Sequence, residues 1–311
     1  DVGMVGDSGQ ASREADEHYF LDPVSGDRYY TISYASREAP HSDIVLVHGL
    51  LANPRFWWWD QVEAMLPFGR VHCVSLTGQY PSEMSEPQRC RIDEGFMVNM
   101  VDSQLRMLGL TDSPITLIGH STGALVSLVY ALHRPERVRA LGVFSTLSHG
   151  IEESGIYGFF QFLTRHCRSP GRWLYDLTLR LNGASHRFHR LLVGDVAYDR
   201  KALFAYPGFE QWVARYFPHI RKLDAQQTLP WLRDVHDIDV SRRLGDLRVP
   251  VLLLFGENDP YVDARCAQTM KARFTGSSVT CHVIRHSGHL YMFEAPEFFH
   301  SVLTDWLASA G

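Results

Sequence analysis

The chain has 311 residues, 45% of them hydrophobic, and a formal net charge of −5. That is ample for a large core, as one domain with an insertion or as two domains, and the acidic balance excludes an electrostatic case for nucleic acid as partner. The cysteines (Cys73, Cys90, Cys167, Cys266, Cys281) are scattered with no Cys-x-x-Cys pair, which predicts free thiols and a cytoplasmic protein, and no apolar run is long enough to span a bilayer.

Residues 1–14 are small and polar and read as a disordered lead. His18 to Leu21 and Tyr29 to Tyr34 predict two strands around the turn Asp22-Pro-Val-Ser-Gly-Asp27. Ile44 to Val47 is a short apolar strand running into His48-Gly49-Leu50-Leu51. Phe56 to Leu66 has helical spacing. Its tryptophans Trp57, Trp58 and Trp59 cannot share one helix face, so one is expected in the core and another, taken as Trp57, toward a ligand. Arg70 to Leu76 is a strand, residues 77–91 a Pro/Ser/Glu-rich loop, and Ile92 to Leu108 a helix closed by Gly109.

Ile115 to Ile118 is a β-branched run suited to a buried parallel strand. Gly119-His120-Ser121-Thr122-Gly123 follows it, and Ala124 to His133 reads as a buried helix. A serine between glycines on a strand–turn–helix corner is the G-x-S-x-G pattern of an exposed nucleophile. The glycines let strand and helix pass closely, and the N–H of Thr122 at the helix start can face a developing oxyanion. His120 beside the serine is a candidate substrate contact. Val138 to Ser145 is another strand.

Alternation of strand and helix then stops. Residues 148–245 carry helical patterns divided by breakers such as Ser169-Pro-Gly171 and Pro207-Gly208. Alternation resumes with strand Val249 to Phe255, helix Tyr261 to Phe274, strand Val279 to Ile284 and helix Pro296 to Leu307. The prediction is an α/β protein with a mostly parallel, doubly wound sheet of about eight strands. Its core would be residues 15–147 and 246–311, with 148–245 an inserted helical cap. No internal repeat is visible.

An elbow serine needs a base and an acid. Strand Val251 to Phe255 ends in Gly256-Glu-Asn-Asp-Pro260, which puts Asp259 on the rim where open α/β sheets bind ligands. Glu257 and Asp263 are alternatives for the acid. Ser287-Gly-His289 follows the next strand and supplies the base, with His286 as rival. The loop after His48-Gly49 can offer the N–H of Leu50 as a second oxyanion donor; His48 itself reads as structural.

These four loops together resemble the α/β-hydrolase superfamily. Its His-Gly-x oxyanion loop, Gly-His-Ser-x-Gly elbow, Gly-x-x-Asp-Pro acid loop and Gly-His-x4-Glu-x-Pro base loop read here as His48-Gly49-Leu50, Gly119 to Gly123, Gly256 to Pro260, and Gly288-His289 through Glu294 and Pro296. The resemblance covers about residues 40–311. It implies Ser121 as nucleophile, His289 as base and Asp259 as its orienter, with no cofactor. The loop Ser75-Leu-Thr-Gly-Gln-Tyr-Pro81 departs from the Asp-x-x-Gly-x-Gly of many relatives and places the chain in no subfamily.

A serine at the elbow argues against aspartate-nucleophile relatives, and no metal-ligand cluster occurs. His186 and His189 read as a solvated helix face. The expected activity is hydrolysis of an ester, thioester or lactone; acyl transfer, cyclisation or lyase chemistry with the same triad, or ligand binding without catalysis, are the alternatives. Segment 148–245 holds 14 Arg and Lys against 10 acids, a charge of +4 that leaves −5 − 4 = −9 elsewhere. It also holds aromatics including Trp212, expected in the pocket wall. A small acyl substrate with an anionic end or carrier is the partner this pattern suggests.

Overall fold

The computed structural model describes residues 15–39, 41–146, 148, 162 and 168–310. The lead 1–14 and most of the insertion before residue 168 lie outside them.

Eight strands form one sheet among the described residues: β1 (Ala15–Leu21), β2 (Arg28–Tyr34), β3 (Asp43–Val47), β4 (Arg70–Val74), β5 (Ile115–His120), β6 (Val138–Phe144), β7 (Val251–Gly256) and β8 (Val279–Ile284). The spatial order is β1-β2-β4-β3-β5-β6-β7-β8. β1 and β2 form an antiparallel hairpin, β2 pairs antiparallel with β4, and every later pairing is parallel.

The central strands are apolar without alternation because both faces are covered. Val45, Leu117 and Leu253 face a cluster shared with α2 (Glu94–Met107), α3 (Thr122–His133) and α9 (Cys266–Arg273). Their neighbours Ile44, Ile118 and Leu254 face the opposite cluster, with α1 (Trp59–Met65) and α11 (Pro296–Ala310). A short α10 (Tyr291–Glu294) precedes α11.

Between β6 and β7 the described chain holds α4 (Arg168–Asn182), α5 (His186–Val196), α6 (Arg200–Ala205), α7 (Phe209–Ile220) and α8 (Ala225–Asp234), and no strand of the sheet. Polar residues start these helices as N-caps: Ser185 accepts from Phe188 N, Asp199 from Ala202 N and Asp224 from Gln226 N. Buried hydrogen bonds dock them on the sheet's loops. Trp212 Nε1 donates to Phe56 O at 3.0 Å, and Trp231 Nε1 to Thr77 O at 2.7 Å.

Two expected helices start later than their spacing suggested. Pro54–Phe56 is a 3-10 turn capped by Asn53, and α1 begins at Trp59. The helix expected from Tyr261 begins at Cys266, because Asp259 Oδ1 takes the N–H groups of Tyr261 and Val262 at 2.9 and 3.1 Å and holds that stretch as a turn. Cys73, Cys90 and Cys281 are free thiols, and Cys167 lies outside the described residues. No described helix is long and apolar enough to cross a membrane.

A close backbone approach lies where α3 leaves β5. A Cβ on Gly123 would sit 2.3 Å from His48 O and 2.4 Å from Val47 O. Those backbone atoms lie at the end of β3 and in the residue after it and cannot readily yield, so Gly123→Ala should cost roughly 3 kcal/mol or more. Gly95→Ala in α2, where a Cβ would meet only Asp93 Oδ1 at 3.3 Å, should be near neutral or stabilising. Urea unfolding of the two variants checks the contrast.

Candidate active site

Ser121 stands between β5 and α3 with φ 56° and ψ −125°, a left-handed conformation that L-residues adopt rarely. The surroundings hold it there. Ser121 N donates to Phe144 O at 2.8 Å, and Gly49 passes so close that a Cβ would be 3.0 Å from that of Ser121. A Cβ on Gly119 would collide with Gly123 O at 2.3 Å. The strain of the corner is thus supported by close packing on both sides, and the serine side chain projects beyond the strand ends.

Asp259 and His289 come from the loops after β7 and β8. His289 Nδ1 donates to Asp259 Oδ2 at 2.7 Å, and the Asp259 side chain is fully buried. Burial works against its ionisation, but the His289 partner and the amides of Tyr261 and Val262 outweigh it, so the carboxyl stays below its ordinary range. With Nδ1 committed to the carboxylate, the other nitrogen of His289 carries the lone pair. The rivals are engaged elsewhere at the surface. Glu257 is exposed and accepts from His286 N, and Asp263 is exposed and paired with Arg265.

Two further histidines hold these loops through backbone hydrogen bonds. His48 is fully buried; Nδ1 donates to Gly49 O at 2.8 Å and Nε2 accepts from Leu76 N at 3.2 Å. This ties the loop bearing Leu50 to the end of β4. Leu51 N is bound by Gln79 Oε1 at 2.8 Å, fixing the next peptide. His120 Nε2 donates to the backbone O of His289 at 3.0 Å, and its ring stacks on Phe56 at 5.1 Å. Thr122 is the first residue of α3, and no side chain caps that helix end; its amide belongs to the orphan donors of a helix N-terminus.

Ser121, His289, Leu50, Thr122 and His120 line one cavity of about 510 Å³. Its walls are mostly apolar: Phe56 from the core, and Leu179, Leu192, Val193, Trp212 and Tyr216 from the insertion. Trp57 is absent from its described lining. That residue is buried in the core with Trp58 and Trp59 packed beside it, and Phe56 occupies the cavity-facing position instead. His189, expected on a solvated face, is buried; it lines the cavity and its Nδ1 pairs with Asn182 Oδ1 at 2.8 Å. The switch arises because α5 packs on Tyr216 and Phe217 of α7, against which the His189 ring lies at 5.8 and 5.4 Å. No metal-binding cluster occurs among the described residues.

A second serine–histidine–aspartate array exists and differs in kind. Ser33 Oγ and His72 Nδ1 are 2.9 Å apart, and His72 Nε2 is 3.0 Å from Asp43 Oδ1. It lies across flat strands β2, β4 and β3, where Arg70 also holds Asp43. No elbow or helix N-terminus adjoins Ser33, so it has the polar partners but no site for an oxyanion.

Residues 44–296 match the family model of the alpha/beta hydrolase fold. The chain belongs to this family. A putative carbamate hydrolase RutD of Klebsiella pneumoniae (strain 342) is 25% identical over 87% of this chain and 93% of its own length. A pimeloyl-[acyl-carrier protein] methyl ester esterase of Photobacterium profundum is 26% identical, over 87% and 96%. Among solved structures, carboxylesterase CesB (YbfK) from Bacillus subtilis superposes with a TM-score of 0.69 at 19% identity, covering 95% of this chain and 92% of that one.

The buried histidines make stability pH-dependent. Burial pushes His48 down to about 4, and burial with the neighbouring His289 pushes His120 down to about 3, both from 6.5. Folded, each stays neutral well below pH 6.5; unfolded, each takes up a proton there. The stability they contribute is therefore whole above pH 6.5 and is lost as pH falls toward the folded values, by roughly 1.4 kcal/mol per pH unit per histidine. At pH 5 each accounts for about 2 kcal/mol. Urea unfolding of wild type and His120→Gln at pH 7 and pH 5 should show the variant losing about 2 kcal/mol less between the two.

Proposed function

We propose that this α/β hydrolase is a serine esterase that cleaves carboxylic esters, thioesters or lactones through an acyl-enzyme on Ser121. The observation that carries the reading is one cavity shared by an elbow serine and a histidine whose Nδ1 is committed to a buried carboxylate. Ser121 Oγ attacks the substrate carbonyl while the free nitrogen of His289 takes its proton. Asp259 keeps the ring in that tautomer and stabilises the imidazolium. The amides of Leu50 and Thr122 receive the oxyanion, each worth roughly 3–4 kcal/mol of transition-state stabilisation. His289 then protonates the leaving group, and water attacks the acyl-enzyme with the same residue as base.

The insertion acts as the cap of this site. Leu179, Val193 and Trp212 would contact the apolar part of the substrate, with Phe56 in the place expected of Trp57. His120 serves the base loop more directly than the substrate. The names of the relatives favour ester cleavage over acyl transfer, cyclisation or lyase chemistry, and the free thiols fit a cytoplasmic enzyme.

The anionic end or carrier suggested by the insertion's charge finds no Lys or Arg in the cavity's described lining. Arg172, Arg180 and Arg233 instead line a separate cavity of about 780 Å³ on the other flank of α4. Any attraction would thus act on encounter and be screened by salt. Raising ionic strength should lower kcat/KM for an anionic ester and leave a neutral ester of equal length unchanged; equal responses would remove the anionic end from the proposal.

Ser121→Ala should abolish ester turnover and labelling by a fluorophosphonate, whereas Ser33→Ala should leave both intact. Asp259→Asn should lower kcat by on the order of 10⁴-fold with the fold retained. Wild-type activity in Asp259→Asn would move the acid elsewhere, and labelling in Ser121→Ala would reject the nucleophile.

A further inference from the structure

The loop that carries His289 is held from two sides. Asp259 holds the ring, as described. The loop's backbone is held by the insertion. His289 N donates to Val196 O at 3.1 Å, at the end of α5. Gly288 lies against the same stretch so closely that a Cβ there would be 2.5 Å from Tyr198 N and 2.9 Å from Val196 O.

Glu294, the last residue of α10, joins the two segments. Its Oε1 accepts from Tyr198 N at 2.9 Å, Asp199 N at 2.8 Å and Gly288 N at 3.1 Å. Its Oε2 also receives Gly288 N, at 3.0 Å. One carboxylate therefore collects the amides of the α5–α6 linker and the amide immediately before the base. A carboxylate is the side chain suited to this: it accepts at both oxygens and donates nowhere when ionised.

We propose that Glu294 is a positioning residue that clasps the base loop to the insertion, so that residues 196–199 fix where His289 stands as well as roofing the cavity. The inference rests on His289 being the base. It has a mechanical corollary: any opening of the insertion must pivot about this clasp, because moving residues 196–199 would carry the base away from Ser121. Adjustment of the base by the insertion would reach His289 through the Val196 carbonyl and the Glu294 carboxylate.

The test is a double-mutant cycle on the full chain, read as turnover of an activated neutral ester. Glu294→Gln keeps the size but turns one oxygen into a donor, setting N–H against N–H at Gly288. Alone it should lower kcat on the order of 10²-fold with KM little changed, the loss expected of a misplaced catalytic group. In the His289→Ala background the same substitution should change the residual rate by less than about twofold, since the group it positions is gone. A merely structural role would lower both backgrounds alike, and that result overturns the proposal. Unchanged kcat in Glu294→Gln, alongside a dead His289→Ala, overturns it while leaving the proposed function standing. Full turnover in His289→Ala overturns both. Should Glu294→Gln lack a cooperative unfolding transition, Glu294→Asp, which keeps the charge but falls short of Tyr198 and Asp199, is run through the same cycle with the same criteria.

Discussion

Close backbone packing at the start of α3 is the constraint on which the rest of this structure depends. Gly119 and Gly123 bring β5, α3 and the end of β3 within a distance that excludes any Cβ, Gly49 leaves little room for one, and Ser121 is pressed into a left-handed conformation between them. Such a corner is unfavourable for an L-residue by about 1–3 kcal/mol. It persists because β3, β5 and β6 are buried on both faces and cannot shift to relieve it. Strain at one residue is thereby held by the cohesion of the whole sheet.

The parallel sheet then decides where everything else arrives. Strands β3, β5, β7 and β8 run the same way, so the loops after them reach one rim although they are far apart in the chain. The loops after β3, β7 and β8 are each tied down by a polar side chain. His48 bridges Gly49 to Leu76, Asp259 folds its own loop over and holds His289, and Glu294 holds Gly288. In a region poor in water these bonds are strong only while every partner is present, which favours a single geometry.

The insertion is more than a roof. It contributes apolar wall at Leu179, Val193 and Trp212, and it grips the core through Trp212, Trp231 and the segment 196–199. Its helices carry exposed aromatic and aliphatic groups as well, among them Trp173 and Leu191. The cavity at Ser121 therefore belongs to neither part alone: its wall is built partly on the sheet's loops and partly on helices that the sheet's own pattern does not require.

The amino-acid sequence by itself determined the eight strands, the interruption between β6 and β7, and the order of serine, acid and histidine along the chain. Periodicity and glycine placement are local, and a run such as Ile115 to Ile118 or a corner such as Gly119 to Gly123 states its conformation within a few residues. The tertiary structure alone decided that Asp259, not Glu257 or Asp263, meets His289; that Phe56 rather than Trp57 faces the cavity; that His189 is buried; and that Glu294 reaches back to Tyr198. Each of those outcomes depends on which way a loop or helix turns against a neighbour distant in the chain, 30 positions away for Asp259 and His289 and 156 for Phe56 and Trp212. Spacing along the chain carries no information about such contacts, because they are set by packing between elements and not by the period within one.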